Sequence, residues 1–366
     1  MASSTLAATR ARIAQLDFEI GKLQQLMDPL LAEREKCQQA LADYKYPILA
    51  LPAEITSEIF LQFLPSYPER PSVVGPYSPS LLLQICRRWR DVALATPTLW
   101  STMELILESP QYHAGQLDLL KVWLPRSGNC ALSIQLECDM DDDEALAIIG
   151  QYIEALLCHP SRWQDMEIVI PYEDLLRITG SMPLLRSLTI GPCNWGDGPD
   201  KPVPVLFTEA PALKNLVLSR KFNAYAMILP WAQITTLRAE ALCLDEAVEI
   251  LRQTATLEHC TITMYSGDPS TASLIPPLPL RSLTLRYRGH GGSTMAEHMF
   301  QLFAALKLKN LAVDELFLGP DPVGTLSRVC PNGYPRGIEI FSVRTSREIY
   351  AAAFPLASLS VHEPSV

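Results

Sequence analysis

Residues 280–285 read LRSLTL, and the same spacing of apolar residues returns along the chain from about position 100 onward. The unit is L-x-x-L-x-L-like, with other apolar residues admitted. Its instances are Trp100/Met103/Leu105, Ala131/Ile134/Leu136, Trp163/Met166/Ile168, Leu185/Leu188/Ile190, Leu213/Leu216/Leu218, Ile234/Leu237/Ala239, Leu257/Cys260/Ile262, Leu280/Leu283/Leu285 and Leu308/Leu311/Val313. Their starts lie 31, 32, 22, 28, 21, 23, 23 and 28 residues apart. Alternation within each unit is what a short strand needs to send one face inward. Helical patterns such as DDDEALAIIGQYIEALLCHP (141–160) and LDEAVEILRQTA (244–255) lie between units.

Those intervals mostly fall in or just above the range of about 20–29 residues expected of leucine-rich repeats. The Asn/Cys position of that repeat is met only at Cys193, after LRSLTIGP, and regular ladder asparagines are absent. The expectation for residues 101–366 is therefore an irregular leucine-rich-repeat-like α/β solenoid, a curved parallel sheet backed by helices and loops. The competing reading is an unrelated α/β fold whose strands happen to be evenly spaced.

With 366 residues and 48% apolar composition, the chain can bury a large core and is too long for one ordinary compact domain. Its net charge of -10 argues against a general affinity for nucleic acid, whose phosphates reward a basic surface. The nine cysteines are scattered and form no C-x-x-C, unlike a disulfide framework or a zinc module. They read as reduced thiols of a cytosolic or nuclear protein. The start, MASSTLAATRARIAQLDF, has no apolar run suited to a signal peptide, and its faint likeness to a transit peptide ends where acidic residues enter the same helical register. No run approaches the ~18 apolar residues of a membrane span.

Residues 1–46 place Ile13, Leu16, Ile20, Leu23, Met27 and Leu30 at spacings of 3, 4, 3, 4 and 3, a heptad seam. Arg34, Cys37, Leu41 and Tyr44 continue the register more weakly. Asp28 is a possible cap and Pro29 a possible first residue of a new turn, so two helices or one kinked helix are expected. The seam at 13–30 either pairs two chains in a weak homodimer or folds back on its own domain.

Residues 47–100 form a second segment. Ile55, Ile59 and Phe63 fall at i, i+4 and i+8, with Phe60 and Leu64 beside them, and Pro65 ends that helix. A proline-rich loop runs to Ser78, a candidate N-cap before Pro79. The next helix is expected to align Leu82, Ile85, Trp89 and Val92, leaving Arg87, Arg88 and Arg90 outside the stripe. Arg beside Trp in CRRWR (86–90) is raw material for a nucleic-acid surface or for protein packing, and the stripe favours packing. Thr96-Pro97 then restarts a turn ending at Trp100.

LPAEITSEIF (51–60), CRRWRDVA (86–93) and TPTLW (96–100), in this order, resemble the F-box, specifically the F-box-like proteins of mushroom-forming fungi. The resemblance covers roughly residues 48–105, and SYPERPSVVGPYSPS (66–80) makes the first inter-helix loop longer than in compact F-boxes. It implies docking on a Skp-type adaptor protein and, through it, on the cullin of a cullin–RING ubiquitin ligase, the rest of the chain recruiting a protein substrate. The adaptor contact it implies uses Leu51, Pro52, Ile55, Ile59, Phe60 and Trp89, some of them as internal support. The alternative is a repeat scaffold that binds partners without a role in ubiquitin transfer.

No catalytic constellation, metal set or cofactor site emerges, so the protein is not expected to be an enzyme. RGHGGST (288–294) resembles a lipase oxyanion segment, but no G-x-S-x-G nucleophile elbow accompanies it. Asp139, Asp141 and Asp143 match the start of a calcium loop, yet Glu144 and Gly150 stand where Gly and Glu are required. The pairs Cys158-His159 and His259-Cys260 lack further ligands at usable spacing. GPCNWGDGPDKP (191–202) is no phosphate cradle, and its Trp195 is either a partner anchor or a lid over the core. Arg281, Arg286 and Arg288 make a local positive spot, and Arg286 and Arg288 are candidates for holding an acidic or phosphorylated substrate segment. Pairing with neighbouring acids such as Glu258 is the competing reading.

Overall fold

The computed structural model describes residues 2–44, 47–107, 110–138, 143–193, 205–219, 227–266, 278–288, 308–318, 321–329, 337–341 and 359–362. By compactness the chain divides into residues 1–58 and 59–366. In the first unit, helix α1 (Ala2–Asp43) runs without interruption through Pro29. A proline inside a helix removes one backbone donor and crowds the carbonyl four residues earlier. The Leu-, Ala-, Gln- and Glu-rich turns on both sides sustain the helix across that defect, so of the two expected arrangements the segment forms one helix rather than two. After a 3-10 turn at Pro47–Ala50 the chain enters helix α2 (Ala53–Phe63), and the division between units falls inside α2.

The second unit is built on a parallel sheet. Among the described residues its strands are β1 (Thr102–Leu107), β2 (Leu132–Cys138), β3 (Trp163–Ile170), β4 (Ser187–Pro192), β6 (Asn215–Leu218), β8 (Thr236–Cys243), β9 (His259–Ser266), β10 (Ser282–Tyr287), β11 (Asn310–Asp314), β12 (Gly337–Phe341) and β13 (Leu359–His362). They lie side by side in chain order, and every neighbouring pair is parallel. Two further short strands, β5 (Val205–Leu206) and β7 (Met227–Ile228), pair separately.

The register turns the sequence units into columns. One column runs Met103, Ile134, Met166, Leu188, Leu216, Leu237, Cys260, Leu283, Leu311, Ile338, and each of these is at most 2% exposed. A second runs Leu105, Leu136, Ile168, Ile190, Leu218, Ala239, Ile262, Leu285, Val313, Ile340, all fully buried. These columns share one core with Leu120 and Trp123 of α5 (Pro110–Arg126), Ile149 and Ile153 of α6 (Asp143–Leu157), Leu175 of the short α7 (Tyr172–Leu175), and Val248 and Leu251 of α8 (Leu244–Gln253). Burying each such aliphatic side chain stabilises the fold by roughly 1.5–3 kcal/mol relative to exposure, which explains why the spacing is kept while the identities vary. Helix α8 starts sharply because the Cys243 N–H donates to Glu246 Oε2 at 2.9 Å, half of a capping box.

Between α2 and the sheet, two expectations meet different outcomes. Ser78 does cap the turn at Pro79–Leu81, accepting from the Ser80 N–H at 3.2 Å. The single helix expected over Leu82–Val92 is instead broken into α3 (Leu82–Ile85) and α4 (Arg87–Leu94). Cys86 is extended between them (φ -157°, ψ 168°), and its sulfur accepts from the Trp89 N–H at 3.5 Å, so it ends one helix and caps the next. The break turns Ile85 away from the stripe and leaves it 57% exposed, while Leu82 and Val92 stay buried.

Candidate partner-binding surfaces

The six residues implied as the adaptor contact divide between surface and interior. Phe60 is 1% exposed, and its ring packs on Trp89 with centroids 4.9 Å apart. Trp89 is half-buried, with its Nε1 covered and unpaired among the described residues. These two hold α2 against α4 and are support rather than contact. Ile55 and Ile59, one turn apart on α2, are 50% and 42% exposed. Pro52 is exposed and Leu51 half-buried. Pro52 immediately precedes α2, its carbonyl accepting from the Thr56 N–H and Oγ1 at 3.1 and 3.0 Å. The second aromatic anchor of the region, Trp100, is fully buried edge-on against Trp123 and donates from Nε1 to the Ala93 carbonyl at 2.9 Å. Both tryptophans are therefore packing groups, in keeping with the apolar stripe.

The second surface is the face of the sheet opposite the buried columns. Its rows are mostly polar or small: Thr102, Ser133, Asp165, Ser187 and Asn215 in one, Glu104, Gln135, Glu167, Thr189 and the apolar Val217 in the next. Further along the sheet Ser282 and Thr284 are half-buried and Arg286 is exposed. Strand alternation alone dictates this, since the neighbours of inward residues must face the other way.

The long inter-helix loop is part of this surface. The Glu104 N–H donates to the Pro71 carbonyl at 2.9 Å and Ser72 pairs in parallel with Glu104, so the segment lies along the free edge of β1. Val73 is 1% exposed, and Ser78 Oγ donates to its carbonyl at 2.9 Å. From this edge Arg70 reaches over the sheet, donating to Ser133 Oγ (3.1 Å), Gln135 Oε1 (3.4 Å) and Glu167 Oε2 (3.1 Å). Its side chain is only 7% exposed. Burial pushes the Glu104 carboxyl above its ordinary range; Arg70 opposes that, and Glu167, Glu137 and Glu69 add to it. Covering the edge in this way protects backbone groups that would otherwise invite strand addition. Beside this segment lies a groove of ≈ 670 Å³, lined among others by Leu61, Leu64, Tyr67, Glu69, Asp165 and Arg186.

At the other end of the sheet the arginine spot is partly engaged by the chain itself. Arg281 pairs with Glu258 at 3.3 Å, and the Arg286 guanidinium lies 5.0 Å from the centre of the Phe341 ring. The Asp314 carboxyl accepts from the Tyr287 N–H at 2.6 Å; burial raises its pKa, while that hydrogen bond and Arg286 pull it down. Arg288 is exposed at the end of β10. The structure thus realises the Glu258 pairing for Arg281 and leaves Arg286 and Arg288 on the surface.

The cysteine and histidine candidates are placed as follows. Cys260 is buried and its thiol is pushed up to about 12 by burial, so it is a packing group. His159 is lowered by burial and by Arg162, and Cys158 hydrogen-bonds the Glu154 carbonyl at 3.3 Å. No group of three or more His, Cys, Asp or Glu suited to a metal ion occurs among the described residues. No helix among them is long and apolar enough to cross a membrane. The RGHGGST stretch beyond Arg288, Asp139, Asp141, the Asp143 side chain and Trp195 lie outside the described residues.

No protein-family model matches the chain, and no curated protein matches it in sequence.

Sequence reading missed Arg70 and its contacts, because nothing in a proline-rich loop marks which residue folds onto a sheet. The signal available was the β-branched pair Val73-Val74 beside Pro71, an edge-strand pattern inside the presumed loop. It also missed β12 and β13, although Ile338 and Ile340 alternate in GIEIF.

Proposed function

We propose that the protein is a substrate-recruiting subunit of a cullin–RING ubiquitin ligase of the F-box type. In this reading α2 docks on a Skp-type adaptor, and an irregular leucine-rich-repeat-like solenoid presents its open sheet face to a protein substrate. The observation that carries it is the division of labour on α2. Phe60 is sunk onto Trp89, while Ile55 and Ile59 stay half exposed on a short helix whose residues resemble the start of an F-box. An exposed pair of β-branched aliphatics a turn apart is the anchor pattern of a helix seated in an apolar groove of a partner. The sequential parallel strand order supports the solenoid, since each strand–connection unit adds next to the last. The polar open face supports a broad contact surface without a large apolar patch.

The test is co-purification of the full chain with a Skp-type adaptor, native and with Ile55→Asp and Ile59→Asp together. Both sites are exposed, so the double variant folds, and burying two unpaired charges at the interface removes binding. Adaptor capture that survives the double variant refutes the assigned contact. A native chain that never captures the adaptor while still binding other proteins leaves the scaffold function in place of the ligase one.

A further inference from the structure

We propose that α1 pairs with α1 of a second copy of this chain as a parallel two-stranded coiled coil. The seam is bare in the single chain: Ile13, Ile20 and Met27 are 52%, 51% and 54% exposed, and Leu16, Leu23 and Leu30 are 40%, 60% and 65% exposed. They sit on one uninterrupted helix of 42 residues, with Pro29 outside the seam. Ile13 and Ile20 at the first position of two heptads, with Met27 in the third, and Leu16, Leu23 and Leu30 at the fourth position of all three follow the arrangement that favours two parallel strands.

The flanking positions select the same orientation. Leu26 and Leu31, which border the seam, are 65% and 41% exposed. In a parallel pair Leu26 faces the partner's Leu31, and Arg12 faces the partner's Asp17. Glu19 faces the partner's Gln24, and Glu33 faces the partner's Gln38, so no flanking pair carries like charges. An antiparallel pair that keeps the same six core layers sets Leu26 against the partner's Glu19 and Leu31 against the partner's Arg10. It strands both leucines beside charges. The parallel pair has one unfavourable layer, Arg34 against the partner's Arg34, which ends the apolar seam and keeps the association weak. In the next layer Cys37 faces the partner's Cys37. Parallel pairing lets both chains leave the coiled coil at the same end, so one assembly offers two copies of everything after residue 44, and capture of a repetitive or clustered partner gains from effective concentration.

The test uses the full chain. Sedimentation equilibrium shows a concentration-dependent monomer–dimer exchange, which Leu23→Asp abolishes without changing the melting temperature. Mild oxidation yields a disulfide-linked dimer on non-reducing gels, and Cys37→Ser removes it. Arg34→Leu, which joins the seam to Leu41, tightens the dimer on the order of tenfold. Three results overturn the proposal. They are a monomer at every concentration, a higher oligomer, and a Leu6→Cys/Cys37→Ser chain that cross-links to the native chain faster than the native chain does to itself.

Discussion

Replacing Arg70 by Ala tests whether the proline-rich segment is a structural strap on the sheet or an incidental loop. The substitution removes three hydrogen bonds, to Ser133, Gln135 and Glu167, from a side chain that is 7% exposed. Breaking a buried ion pair from one side costs about 3–5 kcal/mol, because a charge is left without compensation. Glu167 is 30% exposed, so water partly takes over, and a loss of about 2–3 kcal/mol is the better figure. For a unit of this size that lowers Tm by roughly 4–6 °C. The pH dependence supplies a second, sharper readout. The Glu104 carboxyl is held above its ordinary range chiefly by burial, with Arg70 acting against it. A carboxyl raised in the folded state contributes stability that is present below its unfolded pKa and lost as pH rises through the folded one. Without Arg70 the carboxyl rises further, so the variant loses more at pH 7.5 than at pH 5, and the gap to the native protein narrows on acidification. Thermal melts of both proteins across that range decide it. Equal Tm at pH 7.5, or a gap that widens toward pH 5, refutes the strap.

Three further outcomes are expected. Phe60→Ala lowers stability by about 3–5 kcal/mol in urea titration, whereas Ile59→Ala on the same helix costs less than about 1 kcal/mol; similar losses at both sites contradict the assignment of Phe60 to the core. Gly191→Ala in β4 drives its new methyl into the Ser219 backbone carbonyl and destabilises by about 1–3 kcal/mol, so an unchanged Tm rules out that close approach. Asp314→Asn keeps an acceptor for the Tyr287 N–H and removes the buried charge. Because the native carboxyl is raised, its contribution is lost as pH rises from about 4 upward, and the variant flattens that part of the stability curve; a native-like curve shows that Asp314 is not the group responsible.

What could be read in advance follows from which forces are local. Strand positions were legible because a buried sheet demands apolar residues at every second position, and Leu188/Ile190 or Leu283/Leu285 could not satisfy that demand in any other register. The division of α2 was only half legible. Ile55, Ile59 and Phe60 all belong to its broad apolar face, and only the position of Trp89 on another helix decides that Phe60 is the buried one. Spacing alone also misled at Cys86. Leu82, Ile85, Trp89 and Val92 fit one helical stripe, but the chain breaks where a sulfur can cap Trp89 and lets Ile85 go to solvent. Arg70 was invisible because its partners lie 63, 65 and 97 residues away.

Hydrogen–deuterium exchange of the full chain with and without a Skp-type adaptor tests the adaptor contact most directly. Backbone amides of α2 around Ile55 and Ile59 are expected to gain protection on mixing, while the open face over β2–β4 and the Arg70 segment stay unchanged and free for a substrate. Absence of protection at α2, or protection appearing on the sheet face instead, contradicts the proposed division between an adaptor-binding helix and a substrate-binding sheet.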